Sequence, residues 1–217
     1  MNQRIRKNFI AAVCLLFAFA VWTWVVCTVD VQPIGPNGSA VGLATVNEAV
    51  HRQTGVCLPL YVLTDWLSLV PLGFAAGFAL MGLGQWIHRK RLLAVDRRIL
   101  ALGGFYAVVV TAYVCFEVLA INFRPVLLDG LLEVSYPSST TVLVLCVMPT
   151  ARLQLRSRIR NHSLRPLISA AIAVFALLMV VGRLFSGVHW LTDIIGGILL
   201  SAGLVQLYRT VCCLLEK

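Results

Sequence analysis

The sequence predicts an all-α, polytopic membrane protein, built as a bundle of six transmembrane helices. The first of three observations behind this prediction is the composition. Of the 217 residues, 59% are hydrophobic and only 12% are charged, and the mean hydropathy is +0.89. A soluble domain has a smaller apolar fraction and a larger charged fraction, so the composition excludes an ordinary soluble enzyme or binding domain.

The second observation is the length of the apolar segments. There are six, at residues 9–29, 60–86, 99–121, 139–155, 167–184 and 190–214. A helix needs about 20 apolar residues to cross a bilayer, and each segment is near or above this length, the fourth being the shortest. We therefore expect residues 1–217 to form a single integral membrane domain. Residues 41–50 could add a short amphipathic segment on the outer surface, beside a solvated His51.

The third observation is the distribution of lysine and arginine. With the N-terminus in the cytoplasm, 15 of these residues fall on the inner side and three on the outer side. This asymmetry predicts a multi-pass protein of the cell membrane with both termini cytoplasmic. The net charge of +9 then reflects topology, so the lipid bilayer is an expected partner and nucleic acid is not; the oligomeric state stays open. The inner residues are Arg4, Arg6, Lys7, Arg89, Lys90, Arg91, Arg97, Arg98, Arg152, Arg156, Arg158, Arg160, Arg165, Arg209 and Lys217, and the outer ones are Arg52, Arg124 and Arg183.

An arginine, a histidine and an aspartate lie close together between the last two apolar segments. His189 and Asp193 are four residues apart, so on a helix they would share one face about one turn apart. Asp193 could then orient the imidazole and leave its other nitrogen free as a base or nucleophile. Arg183 carries a planar donor fork that suits phosphate. The alternative is a capped helix start with an incidental ion pair.

Two further stretches fall at the same outer end of the predicted bundle. Pro137-Ser138-Ser139-Thr140-Thr141 precedes an apolar segment and predicts a helix N-terminus, which is a ready anion site; the same residues would also serve as a plain cap. Arg124-Pro125 predicts the end of the preceding helix, since proline disfavours helix at the residue before it. A phosphate bound by Arg124 and Arg183 would offset the cost of placing these cations at a membrane helix end. Alternatively, they pair with carboxylates: Glu117, Asp129, Glu133 or Asp193.

The pattern resembles the type 2 phosphatidic acid phosphatase family, which shares its core fold with vanadium haloperoxidases. That family has three blocks: Lys-x6-Arg-Pro, Pro-Ser-Gly-His and Ser-Arg-x5-His-x3-Asp. This chain has Arg124-Pro125, Pro137-Ser138 and Arg183-x5-His189-x3-Asp193, in that order. The resemblance covers about residues 110 to 200, and its third block is the most specific.

The resemblance implies a site and a reaction. His189 would attack phosphorus to form a phosphohistidine, with Asp193 orienting it and Arg183 as a third catalytic residue. Phosphate would be bound by Arg124, Ser138, Ser139, Thr140 and Arg183. Neither a metal ion nor another cofactor is implied.

Three positions depart from the family pattern. Glu117 stands in place of the lysine, Gly182 in place of the serine before Arg183, and Thr140 in place of the histidine that protonates the leaving group. A general acid contributes about 10²–10⁴-fold to a rate, and a threonine cannot replace it. Glu133, Asp129 or Glu117 could supply the proton instead, or the substrate could have a good leaving group.

The expected function is therefore a phosphatase acting at the outer face on a lipid phosphate or a polyprenyl diphosphate. The second possibility is a catalytically impaired family member that binds or translocates lipid phosphates. A small-solute transporter is disfavoured, because no apolar segment carries a charge in its middle and the sequence has no evident inverted repeat.

Overall fold

The computed structural model describes residues 3–159 and 161–216. Arg160 and Lys217, both counted above on the inner side, lie outside the described residues. The regular structure in the described part is helical, joined by short 3₁₀ turns and isolated β-bridges, which confirms the all-α prediction. The helices are α1 (Gln3–Thr28), α2 (Ala44–Thr54), α3 (Leu58–Leu67), α4 (Leu69–Arg89), α5 (Arg97–Leu119), α6 (Ser139–Arg158), α7 (Leu164–Phe185) and α8 (Leu191–Leu215).

The predicted number of six helices was wrong. Helices α3 and α4 form one run, Leu58–Arg89, interrupted only at Ser68, so the described chain forms seven helices when this run is counted once. The additional helix is α2, which carries Asn47, Glu48, His51 and Arg52. A search for apolar segments does not detect it, because a polar surface helix lacks a membrane-spanning apolar run.

Five helical runs are long and apolar enough to cross a membrane by length and composition: α1, α3–α4, α5, α7 and α8. Their outer surfaces carry large apolar side chains, such as Phe17 and Val118, as a lipid-facing surface requires. Helix α6 is absent from this set, since it ends with Arg152, Arg156 and Arg158. It has less need of a lipid-facing surface, because it packs against α4, α5, α7 and α8 and ten of its residues are buried.

Helix α8 contacts five other helices in the described part of the chain: α1, α2, α5, α6 and α7. Helix α1 runs along it, and Gly203 allows this approach, since a Cβ there would lie 2.7 Å from Cδ2 of Leu16. Near its start, a Cβ on Gly196 would lie 2.7 Å from the Tyr136 ring. The Gly196–Gly197 pair therefore lets the segment entering α6 pack tightly on the first turns of α8.

The two ends of α8 differ in chemistry. Arg183, His189 and Asp193 lie at its N-terminal end, whereas Arg209 lies near its C-terminal end. Asp193 and Arg209 are 16 positions apart, which corresponds to roughly 24 Å along a helix. The fold thus places basic side chains at both ends of the bundle.

Candidate active site

His189 lies in the loop between α7 and α8. The segment that joins α2 to α3 packs against this loop and holds it in place. The backbone N–H of Cys57 donates to the carbonyl of Ser186 at 3.0 Å. Gly187 has a φ of +69°, and a Cβ there would lie 2.0 Å from the carbonyl oxygen of Gly55. Only glycine satisfies both conditions, so the loop is fixed in position by close backbone contact.

Two guanidinium groups converge on one nitrogen of His189. Nη1 of Arg124 and Nη2 of Arg183 each lie 3.4 Å from Nε2 of His189. A guanidinium can only donate, so Nε2 is the acceptor and has an unshared lone pair. Two cations therefore converge on the same imidazole nitrogen.

Asp193 lies on the other side of the imidazole. Its Oδ2 is 3.6 Å from Nδ1 of His189, close to hydrogen-bonding distance. We expected this pair to share a helical face, but His189 precedes α8. Asp193 is the third residue of that helix and accepts a hydrogen bond from the Trp190 backbone N–H at 3.0 Å. The hydrogen bond from the Trp190 backbone to the Asp193 carboxylate, rather than helical periodicity, therefore brings the two side chains together.

The protonation of His189 is set by its surroundings. Its side chain is only 3% exposed, and this burial, together with the charges of Arg124 and Arg183, lowers its pKa from 6.5 to about 4. Asp193 acts in the opposite direction but does not cancel the burial. The imidazole is therefore neutral at physiological pH, with its Nε2 lone pair directed at the arginines.

Arg124 and Arg183 are buried, and not all of their donor groups have a hydrogen-bond partner among the described residues. Arg183 is 1% exposed; its Nη1 donates to the Thr64 hydroxyl at 3.3 Å and lies 4.0 Å from Oδ1 of Asp65. Nε of Arg183 is buried with no hydrogen-bond partner among the described residues. Arg124 forms an ion pair with Glu133 at 2.9 Å. Of the alternative pairings considered above, only that between Arg124 and Glu133 is present in the described residues.

An aromatic ring supports both cations. The guanidinium carbons of Arg124 and Arg183 lie 5.9 Å and 5.0 Å from the centre of the Tyr61 ring, within cation–π range. Gly182 has a related role, since a Cβ there would lie 2.8 Å from Cγ2 of Thr64. The glycine that departs from the family pattern thus makes room for the threonine that contacts Arg183.

The three predicted phosphate ligands at the start of α6 occupy different environments. Ser138 is buried; its hydroxyl accepts from Thr141 at 3.0 Å, and its backbone N–H donates to the Asp193 carbonyl at 3.1 Å. Ser139 and Thr140 follow in the first turn of α6, where backbone N–H groups lack partners within the helix. These two residues line a cavity of about 330 Å³ between α5 and α6, and Glu117 lines it as well.

The sequence interpretation missed residues that support this arrangement. Asn122, 1% exposed, donates to Oδ1 of Asp193 at 3.3 Å. Asn47 of α2 donates to the Thr192 hydroxyl at 2.9 Å. His51, expected to be solvated, instead is half-buried, with its Nε2 3.0 Å from the Gly187 carbonyl oxygen and its ring against Trp190. The position of Asn122, two residues before Arg124, was the one available signal.

Comparison with known proteins agrees with this geometry. Residues 111–212 match the sequence profile of the PAP2 superfamily. This match agrees with the resemblance to the type 2 phosphatidic acid phosphatase family that the sequence motifs predicted. Curated proteins give no match. Among solved structures, the chain is similar to a transmembrane PAP2-type phosphatidylglycerolphosphate phosphatase from Bacillus subtilis, with 19% identity, a TM-score of 0.61, and coverage of 93% of this chain and 96% of that chain.

Proposed function

We propose that the protein is a membrane phosphatase that hydrolyses a lipid phosphate or polyprenyl diphosphate through a phosphohistidine on His189. The convergence of Arg124 and Arg183 on Nε2 of His189, each at 3.4 Å, is the observation that supports this best. A phosphoryl group bound there would receive charge-assisted hydrogen bonds from both guanidinium groups. Each such bond contributes about 1.5–3 kcal/mol, and phosphate would offset the cost of burying two cations.

The proposed first step is attack of the Nε2 lone pair on phosphorus. The N–P bond forms as the bond to the leaving oxygen breaks, and the positive charge that develops on the imidazole is stabilised by Asp193. Arg124 and Arg183 hold the equatorial oxygens, with the first amides of α6 and the side chains of Ser139 and Thr140 as further donors. Water then attacks phosphorus, releasing inorganic phosphate and restoring neutral His189.

The role proposed for Ser138 differs from direct binding. Because its N–H donates to the Asp193 carbonyl and its hydroxyl accepts from Thr141, it joins the start of α6 to the start of α8. We therefore propose that the main role of Ser138 is to align the N-terminus of α6 with the N-terminus of α8, beside the residues that bind phosphate. Its hydroxyl proton, which the bond from Thr141 does not use, would additionally be donated to the phosphate.

The presence of Thr140 in place of a general acid bears on which substrate we propose. A lipid alkoxide needs protonation to leave, whereas the phosphate released from a diphosphate needs it much less. We therefore favour a diphosphate such as polyprenyl diphosphate. The leaving group would occupy the cavity of about 330 Å³ lined by Thr140 and Glu117, where Glu117 supplies a carboxyl group.

The same threonine supports a second candidate function. A family member without the general acid could hold a lipid phosphate between Arg124 and Arg183 and move it across the bilayer without cleaving it. The ion pair between Arg124 and Glu133 would then open for each bound phosphate. Turnover separates the two functions.

The membrane face is also part of the proposal. The charge asymmetry of the sequence supports an outer position for His189 and cytoplasmic termini. The substrate phosphate would accordingly be presented from the outer leaflet.

Release of inorganic phosphate by the purified protein in detergent tests the proposal. The panel contains a polyprenyl diphosphate, its monophosphate and a phosphatidic acid, with His189→Ala as the matched inactive protein. We expect release from the diphosphate that vanadate inhibits, that EDTA leaves unchanged and that His189→Ala lacks. Tight lipid binding with no release from any substrate would favour the binding or translocation function.

A further inference from the structure

A second polar cavity lies at the end of the bundle opposite to His189. Its volume is about 340 Å³, and it is formed where the start of α1, the start of α5 and the ends of α6 and α8 meet. Five arginines, one or two from each helix, line it: Arg4, Arg98, Arg152, Arg156 and Arg209. Four helices that begin or end there thus place cations around one space.

The cations in this cavity outnumber the anions. Among the described residues that line it, only Glu216 is acidic, and it forms an ion pair with Arg98 at 2.7 Å. Arg152, Arg156 and Arg209 form no ion pair within the described part of the chain. Nε of Arg209 is buried and has no hydrogen-bond partner there.

The arrangement carries an electrostatic cost. Arg152 and Arg156 are four residues apart on α6, so they face the same side, and like charges at this spacing destabilise a helix. A bound anion would remove the repulsion. Guanidinium groups donate in pairs to phosphate oxygens, so phosphate fits the donors better than a simple halide does.

Part of the cavity lining is apolar. Pro149 and Leu153 of α6 and Tyr208 of α8 line it together with the arginines. The cavity also lies at the end of membrane-spanning helices, where the phosphate of a lipid is found beside its hydrocarbon. Basic pockets between transmembrane helices are known to accept anionic lipid headgroups.

We propose that this arginine cavity binds the phosphate of an anionic phospholipid headgroup at the membrane surface opposite to the catalytic loop. The lipid would link the ends of α6 and α8 and so stabilise the bundle. This inference uses no residue of the His189 site and does not depend on the proposed phosphatase activity.

The test is native mass spectrometry of the full chain in detergent with added phosphatidylglycerol or phosphatidylcholine. The variant Arg152→Gln/Arg209→Gln removes two charges from the cavity. The matched control is Lys90→Gln/Arg97→Gln, which removes two charges from exposed residues at the same end but outside the lining. Circular dichroism of each variant in the same detergent reports whether the helical fold is retained.

We expect the wild-type protein to retain phosphatidylglycerol in preference to phosphatidylcholine. The cavity variant should bind it roughly tenfold more weakly, whereas the control should match the wild type. An equal loss in the control, or no preference for the anionic lipid, would overturn the proposal. Displacement by an equal concentration of inorganic phosphate would assign the cavity to free phosphate and overturn the lipid assignment.

Discussion

Asn122 donates a hydrogen bond from Nδ2 to Oδ1 of Asp193 at 3.3 Å, although the two residues are 71 positions apart. The other carboxylate oxygen of Asp193, Oδ2, lies nearest to His189. Asn122 is held in turn by the Gly42 backbone N–H, which donates to its Oδ1 at 3.3 Å. A chain of buried polar contacts therefore runs from the loop after α1 to the imidazole.

The first prediction follows from this chain. Asn122→Ala should lower kcat by about 10- to 100-fold with little change in KM, because a misoriented Asp193 no longer holds the imidazole in line with the phosphate. The measurement is steady-state phosphate release by wild type and variant.

Asn47→Ala is the matched control for Asn122→Ala. Asn47 is equally buried and bonds to Thr192, the neighbour of Asp193, but not to the carboxylate. Both variants should lose about 1–3 kcal/mol of stability, whereas only Asn122→Ala should lose kcat. Equal losses of kcat would show that Asn122 has only a structural role.

The second prediction concerns the pKa of His189. Because the Arg124 charge lowers this pKa and Asp193 raises it, Arg124→Gln should raise it and Asp193→Asn should lower it. Titration of isotope-labelled histidine by NMR measures both shifts, with His189→Ala identifying the signal. A shift in the same direction for both variants would contradict the assigned roles.

The low pKa also predicts how stability depends on pH. The unfolded chain binds a proton near pH 6.5, whereas folded His189 stays neutral to about pH 4. Its contribution to folding therefore weakens as the pH falls through this window and is unchanged above it.

The third prediction concerns Thr140. Thr140→His would restore a general acid next to a cavity of about 330 Å³, which has room for the ring. It should raise the single-turnover rate on monophosphate esters more than that on diphosphates, because only the alkoxide needs the proton. Ser139→His adds the same ring one residue earlier; it removes a proposed phosphate donor for both substrates and should not raise the monophosphate rate relative to the diphosphate rate. Equal acceleration of both substrates by Thr140→His would argue against leaving-group protonation.

The fourth prediction concerns topology. In a variant without the seven native cysteines, Leu131→Cys should react with an impermeant thiol reagent from outside intact cells. Ser157→Cys, at the other end of the bundle, should react only after the membrane is opened. Both positions are exposed in the structure. The reverse pattern would place His189 at the inner face.

Local sequence patterns predict some parts of this fold and not others. Apolar length located the long helices within a few residues, because crossing a bilayer fixes both length and composition. Apolar length alone does not identify α2, whose polar residues act through tertiary contacts with the loop before α8. The short amphipathic segment expected at residues 41–50 overlaps this helix. The sequence did not predict the packing of Thr64 against Gly182 either, because these two residues belong to different helices.

The candidate site also has residues that local sequence patterns predicted and residues that they did not. Arg183, His189 and Asp193 lie within 11 consecutive positions, so their proximity followed from the chain itself. Arg124 joins them through the extended segment after α5, where its backbone N–H donates to the Glu133 carbonyl at 2.9 Å. The contributions of Asn122 and Tyr61 depend on long-range packing that no local spacing encodes.

The most direct test of the central claim is isolation of the covalent intermediate. The protein is mixed briefly with a polyprenyl diphosphate carrying a radiolabelled terminal phosphate, denatured in alkali and analysed for bound label. We predict label that is stable in alkali, lost in acid and located on His189, with none on His189→Ala and less on Arg183→Ala. Steady release of phosphate by wild type without any histidine-bound label, or full activity in His189→Ala, would contradict the account.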